Sequence, residues 1–142
     1  MYAVNKVEVI LTVPSIEETQ AWYERVLGWN GHCDIHDAEG HCLFGDVMRG
    51  ELESVADGRP LTGFNLGRFQ GDAASYGTEG AHCTLFVKVD DVEDAYARVV
   101  ESGVEIDAPL AEQPWGGKTF SFFDLNGFHL TLYELKEEEP VK

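Results

Sequence analysis

One pattern occurs twice in this sequence, and this internal repeat limits the possible folds more than any other feature. In each copy, an alternating apolar segment precedes a helix-like segment, and about three strand-like segments follow. "TVPSIEE" (12–18) aligns with "KVDDVED" (88–94), 76 residues later. Two such copies predict an α+β fold: two βαβββ modules that form a curved, mainly antiparallel sheet cup with helices on the outer face.

The repeat also predicts how the chain is divided. The first βαβββ module covers 1–69, and the second covers 81–135. Between them, 70–80 ("QGDAASYGTEG") is rich in glycine and small residues, which is typical of a linker. The acidic end 136–142 ("KEEEPVK") is predicted to be a flexible tail.

Local signals define the elements that open the first module. A strand is predicted at 6–13 ("KVEVILTV"), where apolar and polar residues alternate. The helix that follows should begin after Ser15, which can cap it together with Glu18 three residues later. Gly28 is the predicted stop, because glycine readily adopts the left-handed conformation at a helix end.

The charge of the chain argues against several classes of partner. With 26 acidic and 10 basic residues, the net charge is −16 at pH 7. This charge repels phosphate backbones and anionic lipid surfaces, so neither nucleic acid nor a membrane is an expected partner. No apolar run approaches the length of a membrane span, and the N-terminus lacks the pattern of a signal peptide. We therefore expect a cytoplasmic protein.

The stretch "GHCDIHDAEGHC" (31–42) suggests zinc, but its spacing does not fit a zinc knot. Cys33 and Cys42 are nine positions apart, and the sequence contains no Cys-x-x-Cys. Adjacent residues in a strand point to opposite faces, so each His-Cys pair would be split between the two faces. Three cysteines, an odd number without the spacing of a disulfide framework, indicate a reducing compartment.

Two hairpin turns, "DAEG" and "DLNG", decide which side chains share a face of a sheet. Four-residue turns would pair His36 with His41 and Phe123 with Phe128. The three cysteines then fall on the apolar face as small core residues. The opposite face, together with a loop tryptophan, provides the predicted pocket residues: Glu8, His36, His41, Thr84, Phe86, Trp115, Phe120, Phe122, His129, Thr131 and Tyr133.

Both modules resemble a known family. "VILTVPSIEETQAWYERVLGW" is similar to the opening module of the vicinal oxygen chelate superfamily, the glyoxalase, bleomycin-resistance and extradiol dioxygenase group. "PWG" and "DLNG" in the second module are similar to the family's usual Pro-Trp-Gly and Asp-Pro-Asp-Gly. The resemblance covers nearly the whole chain except 46–80, and it implies one glyoxalase-like domain.

The resemblance implies a divalent metal in the cup, held by histidine or glutamate side chains. Carried over by position, the ligand sites fall on Glu8, Thr84 and Thr131, with a fourth inside "LTGFNLGRF" that offers Asn65. Threonine hydroxyls are poor ligands for zinc, nickel or iron. We therefore expect no cofactor at the family positions.

Three functions fit these features. The first is a metal-free protein that binds a small organic molecule in the cup, as drug-sequestering members of the family do, and this resemblance implies a homodimer. The second is a glyoxalase-related lyase or isomerase that uses zinc, nickel or iron at a displaced site of Glu8, His82 and His129. The third is a metal-free enzyme in which Glu8 or a histidine such as His82 transfers a proton. The sequence favours the first and leaves open whether the protein is an enzyme.

Overall fold

The protein folds into two compact units, Met1–Tyr76 and Gly77–Lys142. The structure is a computed structural model, and the residues it describes are 1–5, 7–48, 62–78 and 83–135. Within these residues, each unit contains one α-helix and one sheet of four strands. The predicted α+β fold with two βαβββ modules is confirmed. Residues 79–82 and 136–142, which include His82 and the predicted tail, lie outside the described part of the chain.

The first unit follows the chain order strand, helix, strand, strand, strand. Its elements are β1 (Ile10–Val13), α1 (Ile16–Leu27), β2 (Asn30–His36), β3 (Cys42–Met48) and β4 (Gly63–Arg68). The strands lie in the order β1-β4-β3-β2, with β1 parallel to β4 and the other neighbours antiparallel. The strand predicted at 6–13 is shorter than expected, and Glu8 therefore precedes β1 instead of lying within it.

The second unit repeats this order. Its elements are β5 (Thr84–Lys88), α2 (Val92–Glu101), β6 (Ile106–Glu112), β7 (Gly117–Phe123) and β8 (His129–Leu135). The strands lie in the order β5-β8-β7-β6, and β5 and β8 form the parallel pair. Because the remaining strand pairs in both sheets are antiparallel, the prediction of mainly antiparallel sheets is confirmed.

Both helices begin at residues whose side chains cap them. Ser15 accepts a hydrogen bond from the backbone N–H of Glu18 (3.2 Å), and Gly28 ends α1 with a φ of 71°. Asp91 caps α2 in the same way, by accepting from the N–H of Asp94 (3.0 Å). The predicted start and stop of α1 are confirmed. In the described part of the chain, no helix is long and apolar enough to cross a membrane.

Each helix covers one face of its own sheet and forms a core with it. In the first unit, the fully buried Tyr23 of α1 packs edge-on against Phe64 of β4, with ring centroids 6.2 Å apart. In the second unit, Tyr96 of α2 packs against Phe120 of β7 at 5.0 Å. The side chains of this second core that are at most 1 % exposed are Val92, Val99, Phe120, Phe122, Leu130 and Leu132.

Three hairpins in the described residues turn with the same backbone geometry. Each ends in a glycine with positive φ, namely Gly40 (87°), Gly116 (96°) and Gly127 (92°). In the last of them, the N–H of Asp124 donates to the carbonyl of Phe128 (2.9 Å), which closes a three-residue loop. A type I turn followed by a left-handed glycine shifts the strand pairing by one residue relative to a four-residue loop.

The first hairpin pairs His36 with Cys42, so the predicted pairing of His36 with His41 is wrong. Cys33 and Cys42 are joined by a disulfide bond between β2 and β3. The prediction of three unpaired core cysteines is therefore wrong, although Cys42 is buried. Cys83 is free and exposed, so it is not a core residue either.

The last hairpin pairs Phe123 with His129, so the predicted pairing of Phe123 with Phe128 is wrong. A shift of one residue moves a side chain to the opposite face of the sheet. Phe120 and Phe122 are therefore fully buried beneath α2, and their predicted placement in the pocket is wrong. The residues of β7 and β8 that face away from α2 are Gly117, Thr119, Ser121, Phe123, His129, Thr131, Tyr133 and Leu135.

Candidate functional site

Three aromatic side chains, which we call the aromatic trio, lie together on the face of the second sheet that points away from α2. Phe86 of β5 and Tyr133 of β8 stack, with ring centroids 4.1 Å apart and planes 14° apart. Trp115, in the turn between β6 and β7, meets these two rings edge-on at 6.4 and 6.3 Å. Phe86 is 56 % exposed and Trp115 is 52 % exposed, so the trio presents a contiguous apolar surface to solvent.

The aromatic trio lines an open depression of about 590 Å³. Polar groups in it come from Gln113, Thr119 and Thr131, and Gln113 Nε2 donates a hydrogen bond to Thr119 Oγ1 (2.9 Å). The complete lining is Phe86, Gln113, Trp115, Thr119, Thr131, Tyr133 and Leu135. A concave, mostly apolar surface with a few polar groups is the usual form of a small-molecule site.

Four polar side chains, one from each strand of the second sheet, form a hydrogen-bonded network that we call the His129 cluster. His129 Nε2 lies 3.1 Å from Asp107 Oδ2, and His129 Nδ1 lies 2.8 Å from Thr84 Oγ1. Ser121 Oγ donates to the same Asp107 oxygen (3.0 Å). The parallel pairing of β5 with β8 places Thr84 directly beside His129. The cluster therefore lies on the same sheet face as the aromatic trio.

The first unit contains a histidine–carboxylate pair of its own. His32 Nδ1 lies 3.1 Å from Asp46 Oδ1, and the strand register places both residues in one row with Asn65 and Ile10. Asp46 is 7 % exposed, and this burial raises the pKa of its carboxyl, while the hydrogen bond to His32 partly opposes the rise. This carboxyl is therefore harder to ionise than an aspartate on the surface.

The predicted site residues of the first unit all lie at exposed positions. Glu8 precedes β1, and His36 is the last residue of β2. His41 directly follows the hairpin turn, and its Nδ1 is 3.7 Å from carboxylate oxygens of Asp37 and Glu39. These surroundings fit a solvated histidine that is weakly paired with carboxylates.

Most of the predicted site residues in the second unit lie together on one face. The structure brings these residues into the two neighbouring groups already described: Thr84, Phe86, Trp115, His129, Thr131 and Tyr133. Phe120 and Phe122 lie on the opposite face, in the core. His82 lies outside the described residues.

The family's metal positions in the second unit do not carry side chains that fit a transition metal. Thr84 and Thr131 offer neutral hydroxyls, which are poor ligands for such ions. Thr84 is also hydrogen-bonded to His129, whose second ring nitrogen is engaged by Asp107. Among the described residues, no three side chains of His, Cys, Asp or Glu are grouped so that they could hold a metal ion. We therefore assign no reaction step to a metal.

Sequence reasoning missed the polar neighbours of the predicted residues: Asp107, Gln113, Thr119 and Ser121. Thr119 and Ser121 share a face with Thr131 and Tyr133 only in the observed register, and the glycine at the end of "DLNG" was the signal for it. Asp107 had no such signal, because the pairing of β6 with β7 is irregular around it.

Comparison with known proteins identifies one family and similar solved structures. The family model described as "Glyoxalase/Bleomycin resistance protein/Dioxygenase superfamily" matches residues 5–132. A glyoxalase-related enzyme from Clostridium phytofermentans is 25 % identical, with a TM-score of 0.73 over 95 % of this chain and 98 % of its own. TioX from Micromonospora sp. ML1 is 21 % identical, with a TM-score of 0.67 over 94 % and 100 %, which shows a shared fold. A search of curated proteins gives no match.

Proposed function

The chain belongs to the Glyoxalase/Bleomycin resistance protein/Dioxygenase superfamily, and we propose that it binds a small planar organic molecule on the aromatic trio without a metal ion. One observation carries this proposal: the stacked rings of Phe86 and Tyr133, with Trp115 edge-on to them, line an open depression of about 590 Å³. A flat ligand that lies on these rings would cover the apolar surface that the trio exposes.

The exposure of the trio supports a role in binding rather than in packing. Phe86 stays more than half exposed although its ring already stacks on Tyr133. Burial of apolar surface stabilises a complex by roughly 25 cal/mol per Å². An aromatic contact adds about 0.5–1.5 kcal/mol when the rings are offset-stacked or edge-to-face. A planar ligand gains both contributions, whereas water gains neither.

A planar cation suits this surface best. The faces of aromatic rings attract cations, and tryptophan does so most strongly. The net charge of −16 also favours the approach of a cation over that of an anion. We therefore expect an aromatic cation to bind more tightly than a neutral molecule of the same shape.

The two enzymatic alternatives have weaker support. A metal-dependent lyase or isomerase needs a group of ligands, and the described residues do not supply one. Direct proton transfer by His129 needs a basic nitrogen that can reach the substrate, and both of its ring nitrogens are hydrogen-bonded within the protein. Glu8 is exposed at a position before β1, and it is not among the residues that line the depression. Binding is therefore the function we propose.

The proposal includes a homodimer, as the resemblance to drug-sequestering members of the family implies. The exposed apolar side chains at the start of the chain support a contact surface: Val7, Val9 and Ile10 are 82 %, 65 % and 46 % exposed. Light scattering should give twice the 15.8 kDa mass of the chain, and a monomer at micromolar concentration would contradict this part. A cytoplasmic location stays a prediction, which fractionation of the producing cells can test. The disulfide between Cys33 and Cys42 removes the argument for a reducing compartment, because disulfides are rare in cytosolic proteins.

Proflavin, a planar aromatic cation, is a suitable probe for the proposed site. Isothermal titration calorimetry of the full chain, after dialysis against a chelator, should detect saturable binding to one site per chain. Phe86→Ala removes half of the stacked pair and should weaken binding by about tenfold, the equivalent of about 1.4 kcal/mol. Tyr2→Ala is the matched control, because Tyr2 is also an exposed aromatic residue but lies in the other unit.

Two results would overturn this proposal. One is equal weakening of proflavin binding by Phe86→Ala and Tyr2→Ala, which would indicate nonspecific association with exposed rings. The other is binding that occurs only after zinc, nickel or iron is added, which would favour the metal-dependent alternative. Circular dichroism spectra of both variants, compared with that of the wild type, confirm that any loss of affinity does not come from unfolding.

A further inference from the structure

We propose that the His129 cluster recognises a hydrogen-bond donor on the ligand, such as the ammonium group of an arylalkylamine whose ring lies on the aromatic trio. Thr84 Oγ1 is the atom that accepts the ligand's hydrogen bond, and Asp107 and His129 keep it an acceptor. This inference rests on the proposed function, because it assigns the polar part of the same ligand site.

The His129 cluster and the aromatic trio are separated by a distance that a small molecule can span. Thr84 precedes Phe86 by two residues on β5, and His129 precedes Thr131 by two residues on β8. Two residues along a strand cover about 6.5–7 Å and return to the same face. An aromatic ring above Phe86 can therefore carry a short amine arm to Thr84.

The network fixes the direction of its hydrogen bonds. The Asp107 carboxylate only accepts, and it receives Ser121 Oγ at 3.0 Å and His129 Nε2 at 3.1 Å. The neutral imidazole therefore carries its proton on Nε2, and its Nδ1 accepts the hydroxyl proton of Thr84 across 2.8 Å. Since Thr84 is exposed, its oxygen presents lone pairs to a ligand. An ammonium or N–H group fits this site, whereas a carboxylate does not.

Tryptamine and its N,N,N-trimethyl derivative separate hydrogen bonding from charge, because both are cations with the same ring but only tryptamine has ammonium N–H groups. Calorimetric titration of the full chain near pH 7.5 should give about tenfold tighter binding of tryptamine. Thr84→Val removes the hydroxyl at nearly constant size. It should weaken the binding of tryptamine by about tenfold, while the affinity for the trimethyl compound should change by less than about twofold. Thr84→Ser keeps the hydroxyl and is the matched control, with affinities close to those of the wild type.

Equal tryptamine affinity in the wild type and Thr84→Val, or equal affinity of the wild type for tryptamine and its trimethyl derivative, overturns the inference. If proflavin still binds both proteins in that case, only this inference fails. If proflavin does not bind the wild type, the proposed function fails as well.

Discussion

Replacement of Phe122 with alanine should destabilise the protein far more than replacement of Phe86, because the two rings lie on opposite faces of the second sheet. Phe122 is fully buried and stacks on Phe120 at 5.6 Å. Removal of a buried phenylalanine ring costs about 3–5 kcal/mol in the free energy of unfolding. Phe86 is 56 % exposed, and its main loss would be the stacking on Tyr133, worth about 0.5–1.5 kcal/mol.

Urea unfolding, followed by far-ultraviolet circular dichroism, measures both changes under the same conditions. The free energies of unfolding of the two variants should differ by roughly 1.5–4.5 kcal/mol, with Phe122→Ala the less stable. Proflavin titration of the folded proteins should rank them in the opposite order, since Phe86 contacts the proposed ligand and Phe122 does not. Phe122→Leu keeps most of the buried volume and should lose less stability than Phe122→Ala.

A near-normal unfolding free energy for Phe122→Ala, together with lost proflavin binding, would refute this reasoning. It would mean that Phe122 faces the ligand, as the four-residue turn at "DLNG" requires. The observed pairing of Phe122 with Leu130 would then be wrong by one residue.

Three further outcomes are expected. Burial raises the pKa of Asp46 above its ordinary value of 3.8. The carboxyl therefore contributes stability below that value, and this contribution is lost as the pH rises through the raised pKa. In urea unfolding, Asp46→Asn should gain stability relative to the wild type as the pH rises above 3.8, and a deficit that grows with pH would contradict this. A thiol reagent should find one reactive thiol per chain in the unreduced protein, from Cys83, because Cys33 and Cys42 are disulfide-bonded; three thiols without reductant would contradict the bond. Gly40→Ala should lower the free energy of unfolding by about 1–2 kcal/mol, because Gly40 has a φ of 87°, although an added Cβ would meet no other atom there. Gly77→Ala is the control: an added Cβ meets no atom there either, and thermal unfolding should show no such loss.

Features that depend on local chemistry could be predicted from the sequence. The cap at Ser15 and the stop at Gly28 involve residues within one or two turns of α1, so the necessary partners are adjacent in the chain. The repeat required only that a strand-like and a helix-like pattern recur in the same order. Together these local features determined the order of elements in both βαβββ units.

The strand register was harder to predict, because two loop types differ by a single residue. "DAEG" and "DLNG" both fit a four-residue turn, but Gly40 and Gly127 have positive φ and complete three-residue loops. The one-residue difference moved Phe120 and Phe122 from the predicted pocket into the core. Recognition of the terminal glycine as left-handed would have given the observed pairing.

Contacts between distant strands could not be predicted from the sequence. Asp107 reaches His129 across β7, and the irregular register of β6 decides that contact. The bond between Cys33 and Cys42 likewise depends on how β2 and β3 align, and a separation of nine residues alone does not indicate it. Both features follow from tertiary geometry and have no local sequence signal.

Nuclear magnetic resonance of the isotope-labelled full chain, titrated with proflavin in the presence of a chelator, locates the ligand residue by residue. We expect the largest shift changes at the Trp115 indole N–H and at the backbone amides of Phe86, Thr131 and Tyr133, with no added metal. Shift changes confined to Met1–Tyr76, or seen only after zinc, nickel or iron is supplied, would contradict a metal-free ligand site on the second sheet.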